Sequence, residues 1–207
     1  MNKNHSHYNP HLPSKEIKKA LGRNKDGDDV NYKLLYNEIN YISPGVHLNH
    51  YYPTCISLLK EGDKWLDVGC GCAKYIKKAI TDKNIDLHGM DVVDKSIEQA
   101  SKNGVKCIKN SASDPYPYDD ESFDMVTSTD VLEHLHPSDV DQALEEIFRV
   151  LKKQKFALLA PAVTMDKTGL LHLTVKPTQW WISKFEGIGF KYLKRISPKG
   201  LLLHKEK

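Results

Sequence analysis

The chain contains no continuous apolar stretch near the roughly 20 residues that crossing a bilayer requires, and its polar start lacks the apolar core of a secretory signal. Both absences predict a soluble, cytoplasmic protein without a membrane span. Cysteine is scarce, with four among 207 residues, at Cys55, Cys70, Cys72 and Cys107. Cys70 and Cys72 stand too close together for a C-x-x-C metal knuckle or redox pair, so packing in a core or turn is the better reading. An excess of one charge is also missing: 30 basic residues face 27 acidic ones, and a net charge of +3 names no partner. Lysine and arginine are absent from residues 110–148, whereas the chain from Lys176 onward is rich in lysine. An acidic centre of this kind disfavours a polyanion, nucleic acid included, at any site it lines.

What is present is a run of buried-strand character, Trp65-Leu66-Asp67-Val68, that turns sharply through Gly69-Cys70-Gly71-Cys72-Ala73. Glycine at 69 and 71 tolerates unusual backbone angles and lets a ligand approach the main chain. A helix placed after such a turn offers unpaired N–H groups to that ligand. The next apolar run, Ile85 to Met90, ends in Asp91, a carboxylate at a neighbouring strand tip that can accept from both hydroxyls of a ribose. Strands are predicted at 64–68, 85–90, 105–109, 123–128 and 155–160, with helices at about 73–80, 94–102 and 138–151 between them. That alternation predicts an α/β sheet covered on both faces. Before it, helices are expected at Tyr32–Ile42 and Pro53–Leu59, after a loose arm over residues 1–28. After it, Pro177 starts a helix at 178–186, and a hairpin of Phe190–Ile196 and Leu201–Lys205 flanks Ser-Pro-Lys-Gly.

Up to this point a dinucleotide oxidoreductase fits as well. The ordered set D-V-G-C-G at 67–71, G-M-D at 89–91, F-D-M-V at 123–126 and D-V-L-E-H-L at 130–135 resembles the successive motifs of class I S-adenosylmethionine-dependent methyltransferases, in particular small single-domain members of the methyltransferase-11 kind. The resemblance runs roughly from Trp65 to Phe190. It implies a Rossmann-like three-layer sandwich whose mostly parallel seven-stranded sheet has the order 3-2-1-4-5-7-6 and an antiparallel last strand. It divides the chain into an arm with cap helices at 1–60 and a methyltransferase domain at 61–207. Two departures stand out: Ala73 replaces the third glycine of the turn, and Lys152-Lys153-Gln154-Lys155 replaces a Lys-Pro-Gly-Gly turn before the fifth strand.

The resemblance implies S-adenosyl-L-methionine as cofactor and assigns its contacts by position. Asp67, Gly69 and Gly71 surround the methionine end, Asp91 takes the ribose, and Val92 presses on the adenine. Ser111, in place of the family's acidic residue, and Ala112 meet the adenine edge. Thr129 closes the site at the tip of the fourth strand. For transfer to a hydroxyl a base is needed, and His134, His172 and Asp130 are the candidates. His134 has a plainer alternative as a packing residue of its loop. No metal is expected: a metal-dependent mechanism would need convergent carboxylates at the site, and the spacing of His134, His136 and Asp139 gives only a weak hint of a ligand set. The expected acceptor is a small hydroxylated molecule, a sugar or glycan, near Tyr51, Tyr52, His172, Trp180 or Trp181. Adjacent tryptophans on a helix diverge, so only one of 180 and 181 is expected to face it. N-methylation of a small amine is the alternative, as is a non-catalytic cofactor-binding or interaction protein of the same fold. The run Thr127-Ser128-Thr129-Asp130 lacks the Asn/Asp-Pro-Pro-aromatic pattern of enzymes that methylate DNA bases.

Overall fold

The computed structural model describes residues 48–165 and 171–207. The expected arm over 1–28 and the helix over Tyr32–Ile42 lie outside the described residues. The elements are α1 (Leu48–Leu58), β1 (Lys64–Val68), α2 (Lys78–Lys83), β2 (Asp86–Asp91), α3 (Asp94–Lys102), β3 (Lys106–Lys109), β4 (Phe123–Thr129), α4 (Val140–Val150), β5 (Leu151–Ala160), α5 (Thr178–Ile188), β6 (Phe190–Ile196) and β7 (Gly200–Lys205). A 3-10 turn at Leu132–His134 follows β4.

The sheet has the order β3-β2-β1-β4-β5-β7-β6. The first five strands pair in parallel and β7 pairs antiparallel with both β5 and β6. This is the Rossmann-like α/β architecture and strand order expected from the sequence. Its cause is visible in the alternation along the strands. Leu66 and Val68 enter one core with Met90, Val126, Ala157 and Leu159. Trp65 enters the other with Leu87, Met125, Leu158 and Ala160. A sheet buried on both faces needs helices on both, and the apolar stripes supply them. On α4, Val140, Ala143, Leu144, Ile147 and Val150 are buried, a helical spacing that fits one face to the first core. Tyr51, Tyr52 and Cys55 of α1 enter the second. Among the described residues no helix is long and apolar enough to cross a membrane.

Two local expectations need correction. The helix predicted from residue 73 begins at Lys78, because Ala73 sits at φ 52° and a left-handed residue cannot start a right-handed helix. The turn expected at 152–155 is a bulge inside a longer strand. Phe123 pairs with Leu151 and Met125 with Phe156, so the intervening lysines loop out, with Gln154 at φ 57°.

Candidate cofactor and acceptor site

The carboxyl ends of β1, β2 and β4 meet where the glycine turn leaves β1. Gly69 takes φ 74°, and a Cβ there would stand 2.2 Å from Val131 Cγ2, so no other residue fits. That contact couples the glycine turn to the loop after β4, which carries the histidine. Gly71 N–H donates to Asp91 Oδ2 at 2.9 Å and Val93 N–H donates to Asp91 Oδ1 at 2.9 Å. Asp91 therefore holds the turn in shape and retains lone pairs on both oxygens for a further donor. Burial raises its pKa despite these backbone donors.

Asp67 lies beneath the turn with 4% of its surface exposed. Trp65 Nε1 donates to Thr127 Oγ1 at 2.9 Å, and Thr127 Oγ1 donates to Asp67 Oδ1 at 2.6 Å. The relay fixes the hydroxyl proton toward the carboxylate. Burial nevertheless pushes the Asp67 pKa up to about 7, and the Thr127 hydrogen bond offsets only part of that. Val92 is half-buried beside Asp91. Ser111 Oγ and Ser113 Oγ lie 2.9 Å apart, and Ser113 N–H donates to Ser111 Oγ at 3.3 Å, so Ser111 shapes its own turn. Ala112 is buried and its carbonyl accepts from the Tyr116 hydroxyl at 3.1 Å.

Beyond Thr129, which pairs with Ala160, the chain turns at Asp130 with φ 56°. Asp130 forms an ion pair with Lys199 from the β6–β7 turn. The 3-10 turn then presents Glu133 and His134, and the segment 171–174 is stitched onto it. Thr174 N–H donates to the Glu133 carbonyl at 2.9 Å, and Thr174 Oγ1 to the Leu135 carbonyl at 2.8 Å. His134 Nδ1 lies 2.9 Å from the Leu171 carbonyl and His172 Nδ1 lies 2.7 Å from the Thr164 carbonyl. A carbonyl can only accept, so Nδ1 of each ring is the donor. The two rings stand edge to face with centroids 4.8 Å apart. The two histidines singled out in the sequence, 38 positions apart in the chain, thus converge on one place.

Sequence reasoning missed three contributors. Glu133 carries no role in the sequence reading, yet its carboxylate is fully buried, and neither oxygen has a well-formed hydrogen bond. Burial raises its pKa and the nearby Asp130 charge adds to the shift. The signal was a carboxylate inside the apolar run Val131-Leu132-Glu133-His134-Leu135. Thr127, which holds Asp67, and Lys199, which holds Asp130, had no signal, because each reaches its partner only through the sheet. The aromatic surfaces also need correction. Tyr51 and Tyr52 are buried, so they offer an acceptor no face: Tyr51 packs on Gly200, and Tyr52 stacks on Trp65 while its hydroxyl donates to Asp82 Oδ2 at 2.6 Å. Trp181 is buried in the first core and Trp180 remains partly exposed, the divergence expected of neighbours on a helix. A cavity of about 480 Å³ lined by Lys64, His88, Tyr118 and Phe123 opens at the other, amino-terminal end of the strands.

Residues 66–159 match the methyltransferase domain family. Phosphoethanolamine N-methyltransferase 2 of Caenorhabditis elegans is 25% identical over 133 residues, which are 58% of this chain and 29% of that protein. The 27-O-demethylrifamycin SV methyltransferase of Amycolatopsis mediterranei is 27% identical over 84 residues, 37% of this chain and 31% of that protein. The chain thus spans less than a third of the length of either curated relative. Among solved structures, the PH0226 protein of Pyrococcus horikoshii superposes with a TM-score of 0.63 at 18% identity, covering 78% of this chain and 90% of that one. Strand order, glycine turn and strand-tip carboxylate agree with the family match: residues 66–159 are similar to a methyltransferase domain, set on a Rossmann-like sheet.

Proposed function

We propose that the chain transfers the methyl group of S-adenosylmethionine to a hydroxyl of a small hydroxylated acceptor, a sugar or glycan. The observation that supports this reading is the convergence of His134 and His172 at the tip of β4, one loop from the glycine turn. Asp67, Gly69 and Gly71 hold the methionine end of the cofactor, with the Asp67 carboxylate toward its ammonium. Asp91 takes the ribose, Val92 the adenine face, and Ser111 and Ala112 the adenine edge, while Thr129 flanks the sulfonium. The sulfonium makes its methyl an electrophile, so the protein has to align the acceptor oxygen behind it and exclude water. The C–O bond forms as the S–C bond breaks, and the hydroxyl proton passes to an imidazole. With Nδ1 of both rings donating to carbonyls, Nε2 is the nitrogen that takes the proton. Asp130, paired to Lys199, is the weaker base candidate.

N-methylation of a small amine is the second reading, favoured by the phosphoethanolamine N-methyltransferase among the relatives. The two separate with labelled cofactor and a panel of oligosaccharides, phenols and amines, the products being read by mass spectrometry. Label on carbohydrate oxygen is expected. Label on nitrogen rejects O-transfer, and cofactor binding with no transfer to any acceptor supports a non-catalytic binding module. Selective binding of NAD would reject the methyltransferase reading altogether.

A further inference from the structure

Glu133, His134 and His172 each offer one ligand-type atom, and these atoms all lie within 4.8 Å of one another. His172 Nε2 is 4.0 Å from Glu133 Oε1. A fully buried carboxylate with no well-formed hydrogen bond on either oxygen is costly, and the backbone near Glu133 and Ala162 and the Lys199 charge offset only part of the water it has lost. The histidine anchors add a second, independent observation. Each Nδ1 donates to a backbone carbonyl, the arrangement that fixes the ring and its tautomer in metal-binding histidines and sets the lone pair on Nε2.

We propose that Glu133, His134 and His172 form a binding site for a divalent transition-metal ion of the zinc class. Two imidazoles and one carboxylate suit zinc, and the nitrogen donors disfavour magnesium and calcium, which take oxygen. Ligand bonds of about 2.0–2.2 Å in a tetrahedral set require donor atoms about 3.4 Å apart. The present spacing, within 4.8 Å, closes to that as the ion draws the three donors together. Among the described residues three ligands are at hand for a four-coordinate ion, and both histidines are partly exposed, so an oxygen from solvent or acceptor can take the fourth position. In the O-methyl reading, on which this one consequence rests, an acceptor hydroxyl held there loses its proton more readily, and with Nε2 of both rings on the ion that proton leaves to solvent rather than to an imidazole.

The test is binding, measured without acceptor or cofactor, so that its failure is separable from failure of the O-methyl reading. The full chain, stripped with a chelator, is titrated with Zn²⁺ by calorimetry and with Co²⁺ by its visible absorption. Wild type, Glu133→Gln, His172→Ala and the control His136→Ala are compared. His136 is partly exposed, with Nδ1 2.8 Å from Ser138 Oγ, and lies outside the three-residue cluster. One ion per chain is expected to be lost, or weakened about 100-fold or more, in the first two variants and retained in the third; even residues behind the ligands typically cost 10–100-fold. Glu133→Gln keeps the shape of the side chain, and circular dichroism of each variant monitors the fold. His172→Gln replaces His172→Ala if the latter does not fold. Absence of saturable binding in wild type, or equal binding by the Glu133 and His172 variants, as when cysteines or the amino-terminal His5, His7 and His11 take the ion, overturns the proposal.

Discussion

Asp67 and Asp124 sit on neighbouring strands at opposite ends of the same sheet, with 4% and 6% of their surfaces exposed. Asp124, at the amino end of β4, accepts from Lys152 Nζ at 2.8 Å and Lys155 Nζ at 2.9 Å, and from Lys64 N–H at 3.1 Å. Burial pushes its pKa up, but the two lysines outweigh it and hold the carboxyl below its usual range. Asp67 has one hydroxyl donor, and burial wins. Half-buried Asp86, on the amino end of β2, repeats the first pattern with Lys106, and Glu133 repeats the second. At one edge the protein's own cations neutralise its buried carboxylates. At the other they are left short of cations, which is where a cationic ligand, a sulfonium with its ammonium or a metal ion, gains most from them.

If that contrast is functional, substitutions at the two edges should divide activity from stability. The largest effect is expected at the base. Replacing the histidine that takes the proton, His172→Ala or His134→Ala, should lower turnover by about 10²–10⁴ with cofactor affinity nearly constant. Turnover in both variants within threefold of wild type removes histidine base catalysis. Loss of folding in His134→Ala instead marks it as a packing residue, consistent with its bond to the Leu171 carbonyl.

The next pair is smaller and runs in opposite senses. Asp124→Ala deletes three hydrogen bonds to a charged group, but its lysines can turn to solvent, so a stability loss of about 2–3 kcal/mol is expected in denaturant unfolding, with cofactor affinity unchanged. Asp91→Ala should cost about 2–3 kcal/mol of cofactor binding in calorimetry, since hydrogen bonds to charged partners are worth about 1.5–3 kcal/mol each. Weaker cofactor binding in the first variant, or unchanged binding in the second, breaks the division between the edges.

The sequence made the sheet legible because each strand is a short apolar run bounded by a turn, and because the resemblance supplied an order that periodicity alone cannot. Asp67, Asp91 and both histidines stand, as the sequence predicts, at strand ends or in loops. The sequence did not reveal the bulge at Lys152–Lys155. The tetrad reads as a turn, and only the need to cover Asp124 on the next strand explains why its lysines loop out inside a continuing strand. Tyr51 and Tyr52 were misread for a related reason. A tyrosine pair looks the same in sequence whether it faces a ligand or, as here, a glycine of the last hairpin and a tryptophan of the first strand. Glu133 shows the limit most clearly: its burial depends on the segment 171–174 folding back over the turn, a contact about 40 residues away in the chain.

The smallest effect expected is also the one that probes the contrast most directly. With a folded pKa of about 7 against the ordinary 3.8, Asp67 in the free protein holds a proton that the unfolded chain has already lost between about pH 4 and 7. The folded state binds more protons in that window, so this group's contribution to stability is fullest below about pH 4 and is lost as pH rises through 7. Cofactor binding has the opposite sign, because an ammonium beside Asp67 requires the ionised form. Affinity for the demethylated product, S-adenosylhomocysteine, should therefore rise by about tenfold per pH unit, or about 1.4 kcal/mol, below pH 7. It should level off above about 7. Calorimetry from pH 5.5 to 8.5 measures the slope, and Glu133→Gln excludes the other buried carboxylate as its source. Asp67→Asn keeps the acceptor for the Thr127 hydroxyl and should flatten the acid limb at a lower affinity. A flat profile in the wild-type protein, or an unchanged slope in Asp67→Asn, would show that the buried carboxylate under the glycine turn is as structural as Asp124.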